Sequence, residues 1–147
     1  MKILALDMAT ITGWATNEPR ESGRENFKHD LRGEKYHMFW RFLCEYGVGC
    51  DMIVYEEPAI YRSGAAAQLG YGFLAIIQFF CAKHYIKTDS IHPKTLKKYA
   101  TGNGNATKAD MMEAYRVEFG EEPIDDNESD ARFILKWAES KHTKDLT

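Results

Sequence analysis

At 147 residues, with 28% charged and 13% aromatic side chains, the chain has the composition of an ordinary folded domain long enough to bury a core. The formal net charge of −3 does not advertise a polyanion partner, yet the charges are segregated, with four lysines and no acid from Ser90 to Ala109 and six acids and no base from Glu121 to Asp130. Three cysteines (Cys44, Cys50, Cys81) without metal-ligand spacing fit a reduced, cytoplasmic protein better than a disulfide framework.

"KILALDM" (2–8) is a short apolar run that predicts a strand covered on both faces, and Asp7 interrupts it too early for a signal peptide. "GWAT" (13–16) predicts a second strand after a tight turn, with Gly13 relieving the backbone. Residues 19–32 are polar and admit at most a weak edge strand around Phe27. Tyr36, Phe39, Trp40 and Leu43 fall at helical spacing within 35–46 and predict an amphipathic helix. "DMIVYEE" (51–57) predicts a buried strand stopped by Pro58. A long helix is expected over roughly Gly64 to Lys83; its apolar run 69–82 is too short for a bilayer span and reads as a buried helix. A fifth strand follows at 85–92, then helices at Pro93–Ala100 and Thr107–Phe119. The last helix runs from Asn127 to about Ser140, with Ala131, Ile134, Leu135 and Ala138 on one face. Strands first, then strands alternating with helices, predict an α/β fold with a mixed sheet of about five strands flanked by helices.

Acids stand at the ends of these elements. Asp7 ends the first strand and Glu56 and Glu57 end the strand near residue 55, so parallel neighbours would carry them to one sheet edge. Strand alternation admits only one of Glu56 and Glu57. Asp126 and Asp130 are four apart on the final helix and stack on one face, as do Asn127 and Asp130. Singly, each has a plain structural explanation: a turn residue, a solvated strand end, a helix cap near the positive end of the dipole. Brought together, the carboxylates would repel and lose hydration unless a cation neutralised them. Oxygen ligands of this kind select Mg²⁺ or Mn²⁺. Two such ions about 4 Å apart can activate water and stabilise a leaving oxygen in phosphodiester cleavage.

In this order the chain resembles the RuvC family of Holliday-junction resolvases, within the RNase H-like superfamily, with wording closer to its phage-encoded branch. "LALDMATITGWA" (4–15) is similar to the family's first-strand motif and "IVYEEP" (53–58) to its second. "HPKTLKKYATGNGNATKADMM" (92–112) resembles its two lysines around a G-x-G-x-A turn, and "DDNESDARFILKWA" (125–138) its terminal helix. The resemblance implies metal-binding catalytic carboxylates at Asp7, Glu56 and Asp130, and lysines Lys97 and Lys108 approaching DNA near the scissile phosphate, Lys108 being also catalytic. Ammonium groups suit that task; the alternative is two solvated lysines. The "TGNGNA" turn (101–106) would offer backbone amides to a phosphate. Asn127 stands where the family commonly has an acid or histidine, so Asp126, one turn before Asp130, is the candidate fourth ligand ahead of Glu128. Phe73, Phe79 and Phe80 are expected in the core or at a dimer contact. Residues 17–34 match no family motif.

The resulting expectation is a single RNase H-like nuclease domain over 1–147 that hydrolyses branched DNA, four-way junctions above all, with Mg²⁺ (Mn²⁺ substituting). It would act as a homodimer, with no nucleotide cofactor and no membrane. Three rivals stand beside it. A nucleotide-using enzyme of the actin and sugar-kinase type shares an Asp, small residues and Gly after strand one, but needs a second lobe for which 147 residues leave no room. A non-catalytic junction binder finds support only in Asn127. A related nuclease could act on RNA, flaps or forks, since substrate shape is not read by short motifs.

Overall fold

The computed structural model describes residues 1–58 and 64–143. Five strands, β1 (Ile3–Asp7), β2 (Ile11–Asn17), β3 (Arg20–Asn26), β4 (Met52–Glu56) and β5 (Lys87–Ile91), form one sheet in the order β3-β2-β1-β4-β5. β1, β4 and β5 are parallel, and β2 and β3 pair antiparallel on one side. The helices are α1 (Arg32–Tyr46), α2 (Ala65–His84), α3 (Pro93–Thr101), α4 (Lys108–Phe119) and α5 (Asp126–His142).

Alternation along the strands sorts the core into two halves. Leu4 and Leu6 of β1, with Ile53 and Tyr55 of β4, meet Phe39, Phe42 and Leu43 of α1 and Phe73, Ile77 and Phe80 of α2. Ile3 and Ala5, with Met52 and Val54, face the other way onto Ala131, Ile134, Leu135 and Ala138 of α5, beside Met111 and Tyr115 of α4. Each Leu, Ile or Phe wholly removed from water contributes about 1.5–3 kcal/mol.

The helices begin where the sequence supplies caps. His92 Nδ1 accepts from the Lys94 amide before Pro93. Thr107 and Asp110 form a reciprocal capping box at α4, and Asp125 accepts from the Glu128 amide at α5.

Three expectations need correction. The polar segment after Pro19 is a full seven-residue edge strand, Arg20–Asn26, and not a weak one around Phe27, which lies past its end and is buried. α2 is twenty residues long and, by length and composition, apolar enough to cross a membrane. One stripe of it, Leu69, Phe73, Ile77, Phe80 and Cys81, is buried in the core; Tyr71 and Phe79 are exposed, so it is not a buried helix throughout. Gly13 does not relieve a turn: it is absent from the positive-φ glycines and sits within β2, where the turn before it is closed by Thr12 Oγ1 donating to the Ala9 carbonyl at 2.7 Å. What demands glycine there is a helix, described next.

Candidate active site

β1 and β4 run in parallel with Leu6 beside Tyr55, so the next residues, Asp7 and Glu56, end neighbouring strands at the same edge. Asp7 shares the parity of Ile3 and Ala5, and Glu56 that of Met52 and Val54, so both belong to the α5 face of the sheet. Glu57 has the opposite parity; its carboxylate accepts from Ser90 Oγ at 3.1 Å.

The third acid arrives from above. Across β1–β2, Asp7 is paired with Gly13, and a Cβ on Gly13 would stand 1.9 Å from the backbone oxygen of Asn127. The bare strand therefore lets the first turn of α5 rest directly on β2. From that seat Asp130 reaches Asp7 and Glu56, and one carboxylate oxygen from each of the three lies within 4.8 Å of the others. Among the described residues this is the one group of His, Cys, Asp or Glu side chains close enough to hold a metal ion.

Burial, first, and then the charges of Asp130, Glu56, Asp126 and Asp125 push the Asp7 carboxyl well above the usual carboxylate range. Asp130 is pushed up to about 7, chiefly by burial and then by Glu56 and Asp126, while Lys97 and Lys108 pull the other way. One oxygen of Asp130, Oδ1, is buried without a hydrogen-bond partner. A buried, unpaired acceptor beside two more carboxylates is the environment a hard divalent cation would satisfy, and the donor set fits Mg²⁺ or Mn²⁺.

The cluster opens into a cleft of about 440 Å³ walled by Lys97 of α3, Lys108 of α4 and the small residues Ala66, Ala67 and Gly70 of α2. Asp126 lines the same cleft, outside the three-oxygen group, with its Oδ2 3.4 Å from Lys108 Nζ. Asn127 also lines it, its amide donating to Asp125 Oδ2 at 3.2 Å. Glu128 is turned away and buried; it accepts from the Ile124 amide at 2.8 Å and from Ser22 Oγ at 3.1 Å. The 101–106 turn is less open to a phosphate than its glycines imply. Its Gly102, Asn103, Asn105 and Ala106 amides all donate within the turn or back to α3.

Sequence reasoning passed over the β3 side of the site. Arg24 of β3 donates from Nη1 to Asp125 Oδ2 at 3.1 Å, holding Asp125, and Asp125 itself stays below the ordinary carboxylate range because the Glu128 amide, Arg24 and Asn127 outweigh its burial. The only signal was polar residues at alternate positions (Arg20, Ser22, Arg24), which any solvated strand also shows.

Sheet order, the antiparallel β2–β3 pair and helices on both faces define an RNase H-like α/β fold. Within it, the chain has the fold of the RuvC-type Holliday junction resolvases. It superposes on Thermus thermophilus RuvC with a TM-score of 0.73 at 16% identity, covering 91% of this chain and 90% of that one. The same protein in complex with Holliday junction substrate gives 0.69, again at 16% identity, with 91% and 90% covered. The yeast mitochondrial Holliday junction resolvase Ydc2 gives 0.55 at 15% identity, covering 98% of this chain and 82% of that one. No protein-family model matches the chain, and no curated protein matches it in sequence.

Proposed function

We propose that the chain is a divalent-metal-dependent endonuclease of 1–147, a single domain, that hydrolyses phosphodiesters in branched DNA, four-way junctions first. The observation that carries this reading is the convergence of Asp7, Glu56 and Asp130 oxygens within 4.8 Å at the carboxyl edge of a RuvC-type sheet. The structural neighbours, one of them in complex with Holliday junction substrate, support the choice of substrate.

In this reading Asp7, Glu56 and Asp130 hold Mg²⁺, or Mn²⁺ in its place, and Asp126 completes the acidic wall. A divalent ion there supplies charge neutralisation at the scissile phosphate and acidifies the attacking water. Lys97 and Lys108 line the same cleft and would bind the phosphate backbone; close to the reacting phosphate, Lys108 would also offset its developing charge. Its ammonium group, 3.4 Å from Asp126 Oδ2, has three donors and could face the acid and a phosphate together. The protein would work as a homodimer in the cytoplasm, with a two-fold axis placing two sites on a two-fold junction. The exposed Tyr71 and Phe79 of α2 offer apolar surface for that contact. No nucleotide cofactor enters the scheme.

The test is a gel assay with a labelled four-way junction and a matched linear duplex, each with Mg²⁺ or EDTA. Paired nicks confined to the junction and to Mg²⁺ are expected. Binding without nicks under both Mg²⁺ and Mn²⁺ would replace the reading with a non-catalytic junction binder.

A further inference from the structure

β3 lies along α5 as a series of side-chain links. Arg20, Ser22 and Arg24 alternate onto the α5 face, and each finds an acid there. Arg20 makes a two-pronged pair with Glu139 at 3.1 and 2.9 Å, Ser22 donates to Glu128, and Arg24 binds Asp125. The register places Arg24 beside Gly13, which pairs with Asp7, whose other neighbouring strand ends at Glu56. Arg24 therefore stands in the same row across the sheet as the acids, separated from Asp7 only by a residue without a side chain.

Asp125 is the point on which this row acts. Its Oδ1 accepts from the Glu128 amide, its Oδ2 from Arg24 and Asn127, and its backbone oxygen from the Ser129 amide. It is the cap of the helix whose first turns carry Asp126 and Asp130. Beneath it, the Asn127 main chain lies directly on Gly13 of β2, with no side chain of that residue between them. Lateral fixation comes from β3, through Arg24–Asp125 and Ser22–Glu128.

We infer that Arg24 is a positioning residue: through Asp125 it fixes the first turn of α5 and thereby sets where Asp130 stands relative to Asp7 and Glu56. This gives the edge strand that matches no recognisable motif a role in the site. The claim about the clamp is independent of the bound ion; its effect on cation affinity rests on the metal-dependent reading above.

The molecule supplies its own control. Arg20–Glu139 is the same kind of strand-to-helix pair, placed at the far end of α5, about 20 Å from Asp125 at ~1.5 Å per residue. Amide hydrogen exchange would be compared in wild type, Arg24→Gln, Arg24→Lys and Arg20→Gln, and Mn²⁺ binding would be followed by electron paramagnetic resonance without DNA. In Arg24→Gln the Glu128 and Ser129 amides should exchange about tenfold faster through local opening, and not in Arg20→Gln. Mn²⁺ affinity should fall about tenfold, as when a group that orients a metal ligand is lost, with Arg24→Lys restoring most of it. Unchanged exchange at Glu128 and Ser129 in Arg24→Gln would overturn the clamp, as would equal loosening there in Arg20→Gln. If exchange splits as expected while wild type takes up no Mn²⁺, the clamp stands and the metal-dependent reading falls.

Discussion

The backbone oxygen of Asn127 occupies the space that a side chain on Gly13 would need. A Cβ there would come within 1.9 Å of it, and within 2.2 Å of the Asn127 carbonyl carbon. Both obstacles are main chain, which cannot rotate away. Gly13→Ala should therefore lift the start of α5 from β2 and cost about 2 kcal/mol or more, at the upper end of overpacking changes. Gly23→Ala, 3.1 Å from the Trp14 ring, makes a tight contact with a side chain, which can give where main chain cannot, and should cost less. Urea unfolding of the two variants checks the ordering.

Without metal, stability should depend on pH through Asp130. Its carboxyl titrates near 7 in the folded protein against 3.8 as its ordinary value, so the folded state holds a proton the unfolded chain has released. Folded protein binding more protons means stability falls as pH rises. The penalty is absent below about pH 4 and complete above about 7. Asp7, shifted in the same direction, adds to the slope. Asp130→Asn in EDTA should flatten the fall and gain about 1–3 kcal/mol at pH 8, since one pKa unit corresponds to about 1.4 kcal/mol. Melting temperatures at pH 5 and pH 8, with EDTA and with Mg²⁺, measure it; Mg²⁺ should raise wild type far more than the variant.

Asp7→Asn removes a proposed ligand and no phosphate contact. Junction cleavage should drop about a thousandfold or more, the scale of losing a charge-stabilising group at a reacting centre. Junction binding in a mobility-shift assay should persist. Turnover at the wild-type rate under Mg²⁺ would remove Asp7 from the site.

Lys108 separates chemistry from folding. Its side chain is 87% exposed, so Lys108→Ala should change stability by less than about 0.5 kcal/mol. Cleavage should fall roughly 10- to 100-fold if the ammonium group serves the reacting phosphate. A large drop in melting temperature instead would make the lysine structural.

Much of the fold is legible because hydrophobic periodicity survives in the inner strands and the helices. α4 and β5 lie within two residues of their expected bounds, and the order of acids along the chain anticipates their convergence at one edge. The choice between Glu56 and Glu57 was open because β4 is apolar on both faces: Ile53 and Tyr55 are as buried as Met52 and Val54. Only the docking of α5 distinguishes the faces. β3 reads in sequence as no more than a weak edge strand for a related reason. "RESGREN" has no apolar alternation, since one face meets α5 through hydrogen bonds and ion pairs, and the other offers Gly23 to the Trp14 ring. The partners of Arg24 and Ser22 lie on the last helix, and no local pattern announces a pairing over that distance. Helical spacing places Asp126 near Asp130, and its charge does raise the Asp130 carboxyl, but it lines the cleft outside the three-oxygen group, 3.4 Å from Lys108 Nζ.

Asp7 lies within the first ten residues, and Asp130 on the final described helix. The three-carboxylate group cannot exist on a nascent chain until α5 has been made and has settled on Gly13. A ribosome-bound chain lacking α5 would carry all five strands and no cluster. Long-range closure thus acts as a delay: under the proposed function, the capacity to cut would appear only once α5 has docked, and would disappear when that one helix lets go.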